Sequence, residues 1–400
     1  MQYLSYLKFL FTSLILFSFL SLRAQQQYLP EDTARVNFMK KIVQKHARVQ
    51  IPKPPYNYTV ENIKFNDAAT GLHYGATLTK PIGKSSFPTV VLLSGTGAQD
   101  RDYTVAGHKF FWVLADYLSN HGIGVLRLDD RGTGETNGVY SMCTSFNFAK
   151  DAFAGIKWLY TRSDIDTSRI GLIGHSEGGI LAPMVYKMAP SAVKFMVLVS
   201  GPTVGLRVVN RLQTKVFRKG FFKQNDTLTD AYMRLHNYVV DRIPQEAHNY
   251  AELKKLMNKA ADIFYRKEDP AISAKLGVSS GENGGEMLGR YFSTFLSPWW
   301  QFILPYDPLN DVRQVKCPVL GIYGDKDQQI PANDCYRLLK SNLPSNKYSK
   351  MMMYDNMNHF MQPDTTGDPQ NYQDIPVTIK PEVLKRITKW INTLPKPSAI

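Results

Sequence analysis

The sequence predicts an α/β protein: a mostly parallel sheet flanked by helices, with a helical domain inserted after the sixth strand. Three observations carry this. Continuous apolar runs such as TVVLLSG (89–95), SRIGLIGHS (168–176) and FMVLVSG (195–201) read as strands buried on both faces. Amphipathic segments separate them, so strand and helix alternate. The alternation then stops for on the order of a hundred residues between Gly201 and the next such strand, CPVLGIYG (317–324), whereas a strand–helix–strand unit needs only about 30.

Residues 1–24 stand apart from that fold. Lys8 precedes the uncharged run FLFTSLILFSFLSL, and Leu22-Arg23-Ala24 precedes a run of glutamines. A basic start, a short apolar stretch and a small residue at the cut describe a secretory signal peptide. The run is shorter than the roughly 20 apolar residues of a membrane span. The expectation is cleavage near Gln25, export to the periplasm or beyond, and no stable membrane insertion afterwards. Residues 25–57 form an N-terminal extension, helical in part (VNFMKKIVQKHARV).

The core begins at Tyr58 with two alternating strands, YTVENIKF and LHYGATLTK. After TVVLLSG come a helix (HKFFWVLADYLSNHG, 108–122), a strand (GVLRLDD, 124–130), a helix (FNFAKDAFAGIKWLYTR, 146–162), the strand at 168–176 and a helix (EGGILAPMVYKMA, 177–189). Residues 58–202 and 305–400 are assigned to the core, and 203–304 to the insertion. The insertion reads as four helical segments, the last around MLGRYFSTFLSPWWQFIL after a glycine-rich break, GVSSGENGGE. The core resumes with the strand at 317–324, a helix from Asn333 to Leu343, a strand around YSKMMMYD and a final helix, PEVLKRITKWINTL.

Net charge is +14, and +12 once Lys8 and Arg23 leave with the leader. Arg207, Arg211 and Lys215 recur at four-residue spacing and would line one helix face, which reads as a solvated surface. No nucleic-acid module is present. Cys143, Cys317 and Cys335 are scattered and predict no disulfide framework. There is no CxxC and no HExxH, so neither a metal nor a cofactor is expected.

The chemistry centres on Gly174-His175-Ser176-Glu177-Gly178, a G-x-S-x-G pentapeptide where a strand gives way to a helix. Small residues two positions to either side let the chain turn sharply and leave the hydroxyl clear of the sheet edge. A serine needs a base to take its proton. For this sheet type the order is Ser, acid, His. Of eight histidines, His359 in YDNMNHFMQ comes after the next sheet strand. GIYGDKDQQIP offers Asp325 and Asp327. Asp325 is still turning out of the strand, so Asp327 is the choice. The oxyanion of a tetrahedral intermediate needs donors: the Glu177 backbone N–H, and one from the loop Ser94-Gly95-Thr96-Gly97-Ala98, where Thr96 is the choice.

With these residues in place the chain resembles the α/β-hydrolase superfamily. It is most similar to bacterial esterases related to serine-aminopeptidase-like (S33-type) hydrolases. The motifs are LSGTGAQDRD (93–102), DDRGTGE (129–135), GHSEGG (174–179), SPWWQFILPYDP (297–308), GDKDQQIP (324–331) and Asn358-His359-Phe360. Ser94 stands where the group carries histidine, and Ala98 where it carries proline. The resemblance spans roughly residues 58–395. It implies the α/β-hydrolase fold and a carboxylic ester hydrolase with a helical cap.

The expected reaction is acyl transfer to water from a small-molecule ester, through an acyl-enzyme on Ser176. Trp299, Trp300 and Tyr306, with Phe302, are candidates for gripping an acyl or aryl group. The alternative is an aminopeptidase or another acyl hydrolase acting on an amide or thioester. An aminopeptidase would need acids in the insertion, where Glu246, Glu252 and Glu286 read as solvated helix charges.

Overall fold

A computed structural model describes residues 48–395. The expected signal peptide (1–24) and most of the expected N-terminal extension (25–57) lie outside the described residues. The chain divides into two compact units. Among the described residues, one takes 48–140, Phe146–Thr203 and 308–395; the other takes Ser141–Ser145 and Val204–Asp307.

The first unit is built on an eight-stranded sheet. Its strands are β1 (Tyr58–Asp67), β2 (Leu72–Pro81), β3 (Thr89–Leu93), β6 (Gly124–Leu128), β7 (Ile170–His175), β8 (Phe195–Val199), β9 (Val319–Gly324) and β10 (Lys350–Tyr354). A small separate hairpin supplies β4 (Thr104–Val105) and β5 (His108–Lys109). The order across the large sheet is β1-β2-β6-β3-β7-β8-β9-β10. β1 pairs with β2, and β2 with β6, antiparallel; all later pairings are parallel. This is the α/β-hydrolase fold. Every residue of β3, β7, β8 and β9 is buried, which is why these strands read as unbroken apolar runs.

Helix α1 (Phe110–Asn120) begins two residues later than its sequence pattern suggests, because His108 and Lys109 pair in the hairpin. It packs with α12 (Pro381–Thr393) on one face of the sheet. There Phe110, Leu114 and Leu118 meet Val90, Leu92, Val125 and Ile173, beside Ile387 and Trp390. Each such burial contributes about 1.5–3 kcal/mol. On the opposite face α2 (Ser145–Tyr160) sets Gly155 against Leu126 and Leu128, and α11 (Ala332–Asn342) sets Leu339 against Gly321. α3 (Gly178–Met188) follows β7 directly, and the short α10 (Leu309–Val312) leads into β9.

Parallel pairing aligns the carboxyl ends of the strands. Leu93 lies opposite Gly174, His175 opposite Val199, and Val199 opposite Ile322. The loops after β3, β7, β8, β9 and β10 therefore emerge at one edge, where such sheets place their sites.

The second unit is helical: α4 (Leu206–Phe221), α5 (Asp226–Glu246), α6 (Tyr250–Lys267), α7 (Pro270–Leu276), α8 (Gly281–Phe292) and α9 (Pro298–Ile303). Side-chain caps start several of them. Asn225 accepts the Leu228 N–H at 3.0 Å, Asn249 the Glu252 N–H at 3.0 Å, and Asp269 the Ala271 N–H at 2.7 Å. The core joins Leu235, Val239 and Ile243 of α5 to Leu256 and Phe264 of α6 and to Phe292 of α8. Part of the expected glycine-rich break is helix, since Gly281–Gly285 opens α8. A Cβ on Gly285 would overlap Asn258 of α6, so the glycine permits close helix packing that outweighs its poor propensity.

The basic face of α4 is ion-paired. Arg211 meets Asp241, Lys215 lies 3.6 Å from Asp230, and Lys219 lies 3.0 Å from Asp226. Arg218, on the same helix, is buried instead. It donates to Tyr232 Oη at 2.8 Å and lies 3.9 Å from that ring's centroid.

Candidate active site

Ser176 sits between β7 and α3 with φ +55°, in the left-handed region that most side chains avoid. The turn is held by the Ser176 N–H donating to Val199 O at 3.0 Å and by the Gly179 N–H donating to Ser176 O at 2.8 Å. Backbone crowding explains the flanking glycines. A Cβ at Gly174 would overlap the Gly178 carbonyl, and a Cβ at Gly178 would overlap the Leu93 carbonyl. The chain thus turns so tightly that strand, turn and helix touch through main chain alone. The half-buried Ser176 hydroxyl makes no hydrogen bond among the described residues.

Asp327 and His359 meet at 2.7 Å, Oδ2 to Nδ1. The other carboxylate oxygen accepts the backbone N–H of Gln329 at 2.8 Å and of Ile330 at 3.0 Å. Both side chains are almost fully buried. A carboxylate accepts only, so Nδ1 carries the proton and Nε2 keeps its lone pair. Asp325 points elsewhere, its Oδ2 2.7 Å from Lys326 Nζ. Burial raises the Asp325 carboxyl, but the Lys326 bond and backbone donors outweigh this and hold it below the usual range. The structure joins Asp327, not Asp325, to the histidine. His359 is set by Asn358, whose buried Oδ1 accepts the N–H of Phe360 at 3.0 Å and of Gln362 at 3.1 Å.

The loop after β3 is tied at alternate residues. The Tyr103 hydroxyl packs against Gly95, the Gly97 N–H donates to Tyr140 Oη at 2.9 Å, and the Gln99 N–H donates to Asp130 Oδ2 at 2.9 Å. The Thr96 N–H between them has no partner among the described residues. Ser94 Oγ also reaches Asp130, at 3.2 Å. Burial lifts the Asp130 carboxyl well above its ordinary range, against the pull of the Gln99 N–H. Glu177 follows the serine with helical backbone angles and is buried at the start of α3.

Tyr103, Asp130, Tyr140, His175 and Ser200 carry no assigned role in the sequence reading. Two lie in quoted motifs, Asp130 in DDRGTGE and His175 in GHSEGG. Tyr103 directly follows LSGTGAQDRD. That position was a signal that they are structurally engaged, though not with what.

Trp299, Trp300 and Tyr306 belong to the second unit, each half-buried. Trp300 packs on Phe295, ring centroids 4.5 Å apart, and Trp299 meets Trp300 edge-on at 4.6 Å. Tyr306 stacks on Phe302 at 5.7 Å. Among the described residues no group of three or more His, Cys, Asp or Glu side chains is arranged to hold a metal.

Comparison with known proteins adds a family. The family described as X-Pro dipeptidyl-peptidase (S15 family) matches residues 55–360. Esterase EstD of Thermotoga maritima is 27% identical over 284 residues, covering 71% of this chain and 57% of its own length. The chain therefore spans little more than half of that relative. Among solved structures, the α/β hydrolase GrgF from Penicillium sp. sh18 is 14% identical with a TM-score of 0.49, covering 84% of this chain and 98% of its own. The Pyrococcus furiosus esterase Pf2001 is 15% identical with a TM-score of 0.46, covering 87% and 98%. The family match runs from before the first sheet strand through Ser176, Asp327 and His359, and on that span the chain belongs to the S15 family of the α/β-hydrolase superfamily.

Proposed function

We propose that this protein hydrolyses carboxylic esters through an acyl-enzyme on Ser176. The observation that carries the reading is the buried Asp327–His359 pair at 2.7 Å, at the same sheet edge as a serine held at φ +55°. Ser176 Oγ attacks the ester carbonyl while His359 Nε2 takes its proton. Asp327 holds the tautomer and stabilises the imidazolium. The N–H groups of Thr96 and Glu177 receive the developing oxyanion. The protonated His359 then gives its proton to the leaving alcohol, and afterwards activates a water that releases the acid. No hydrogen bond joins Ser176 to His359 among the described residues, and such bonds commonly tighten only with substrate bound.

An esterase rather than a peptidase is favoured by the esterase name of the Thermotoga relative. The second reading, amide hydrolysis, is favoured by the family's description, X-Pro dipeptidyl-peptidase. Kinship with the serine-aminopeptidase-like esterases is inferred from the motif string alone. Export rests on residues 1–24, and N-terminal sequencing of the exported protein tests it.

The deciding experiment gives purified mature protein a panel of esters of graded acyl length, acetylated sugars, and an X-Pro p-nitroanilide. Turnover of esters that disappears in Ser176→Ala supports the proposal. Turnover of the anilide alone transfers the function to the peptidase reading.

A further inference from the structure

His175, the residue before the serine, is fully buried, and both its ring nitrogens are engaged. Nε2 lies 3.0 Å from the backbone carbonyl oxygen of His359, and Nδ1 lies 3.1 Å from the Tyr103 hydroxyl. A carbonyl oxygen only accepts, so Nε2 must carry the proton. Nδ1 is then an acceptor, and the Tyr103 hydroxyl must donate to it. The hydroxyl itself packs against Gly95, where an added Cβ would overlap it. Ser200 Oγ–H donates to the same His359 carbonyl at 2.8 Å. The His359 carbonyl thus accepts twice, and the tautomer of His175 and the direction of its bond to Tyr103 have one solution. Burial first, and the His359 ring second, push His175 far below its usual basicity, so the ring stays neutral. The rings of Phe110 and Phe360 cover it, at 4.8 and 4.7 Å between centroids.

The two ends of the chain are the parts that must be mutually aligned. Gly95 opens the loop that carries the Thr96 N–H, and a Cβ there would fall on the Tyr103 hydroxyl and 3.1 Å from Ser176 Cβ. His359 is the general base. We propose that His175 and Tyr103 are positioning residues, forming a buried relay from the backbone at Gly95 to the His359 carbonyl that registers the oxyanion loop against the base. This rests on the reading of Ser176, Asp327 and His359 as the catalytic set. Misplacement on the scale of an ångström is costly to a preorganised site, so the relay acts on kcat rather than on substrate affinity.

The test combines kinetics with a spectroscopic signature. Tyr103→Phe removes only the hydroxyl and keeps the ring. His175→Leu removes both bonds, and His175→Gln keeps a donor for the His359 carbonyl. Active sites are counted with a fluorophosphonate, so misfolded enzyme does not enter the rate. We expect kcat per titrated site to fall about ten- to a hundredfold in Tyr103→Phe and His175→Leu, with KM within about twofold. His175→Gln should recover most of the loss. Nitrogen-15 NMR of the wild type should report the Nε2–H tautomer at His175. An Nδ1–H tautomer, or unchanged kcat per site in Tyr103→Phe, overturns the relay. Ser176→Ala, assayed beside them, reports separately on the catalytic set: retained turnover there overturns that reading, while the tautomer still judges the relay.

Discussion

The Asp327 carboxylate divides its two oxygens between His359 and the main chain. Oδ2 meets Nδ1 at 2.7 Å, and Oδ1 accepts the N–H groups of Gln329 and Ile330. The backbone bonds fix the carboxylate, and the carboxylate fixes the ring. Asp327→Asn would present an amide where an acceptor is needed and favour the wrong tautomer. We expect kcat to fall by about 10³–10⁴-fold. Asp325→Asn, which weakens the contact to Lys326 and the backbone bonds at Asp325 but leaves His359 untouched, should stay within about threefold on the scale of surface pairs. Comparable losses in the two variants would remove Asp327 from the proposed role.

Asp130 holds the loop after β3 through Gln99 and Ser94, and desolvation raises its half-buried carboxyl well above the ordinary range. A raised acid binds its proton more tightly folded than unfolded. Stability from this group is therefore greatest in acid and declines as pH rises above the unfolded value, about 3.9. Asn keeps an acceptor for the Gln99 N–H and needs no charge. Asp130→Asn should thus raise Tm at pH 8, with the gain shrinking toward pH 4. Asp130→Ala should lower kcat by freeing the loop. Melting curves across pH check the first statement, and a gain that grows toward acid would reverse it.

His108 has the opposite sign. Burial, then the Arg48 charge, lower it to about 4, and it bonds Thr378 Oγ1 at 2.8 Å and Tyr372 O at 2.9 Å. His236 in the helical unit is also lowered to about 4, chiefly by burial. A depressed histidine is protonated more readily in the unfolded chain. Its contribution is intact above pH 6.5 and is lost as pH falls from 6.5 toward 4. The slope per histidine is at most about 1.4 kcal/mol per pH unit. His108→Gln should be less stable at pH 7.5 but show a shallower loss between pH 6.5 and 4 than wild type. Parallel stability curves for the two proteins would refute this.

How much of this was legible in the sequence follows from the range over which each feature is encoded. The turn at Ser176 is local: an apolar run, small residues and a helix start lie within a dozen positions. Asp327 and His359 were reachable through chain order, since each follows a readable strand. The relay through Tyr103 and His175 was not. It joins three segments that meet only after the sheet forms, and no periodicity marks that meeting. Asp130 is similar, because its partner Gln99 lies across the sheet edge and not along the chain. In the insertion, glycines that read as a break became the first turns of α8, because packing against Asn258 rewards the missing side chains.

The tryptophans of SPWW offer a contrast between two neighbours. Trp300 packs on Phe295 and joins the apolar cluster of the helical unit, and Trp299 meets Trp300 edge-on. We propose both rings for contact with the acyl group, with Trp300 in addition supporting the cluster it joins. Trp300→Ala should then lower stability by about 1–3 kcal/mol, less than the 3–5 of a fully buried ring because it is only half-buried. Trp299→Ala tests a direct acyl contact. It should change the ratio of kcat/KM for an eight-carbon against a two-carbon ester by about tenfold, the scale of an apolar pocket contact. Both quantities are measured on wild type and the two variants. A constant ratio in Trp299→Ala and Trp300→Ala alike would assign both rings to packing, and chain-length selection would then have to come from residues outside this pair.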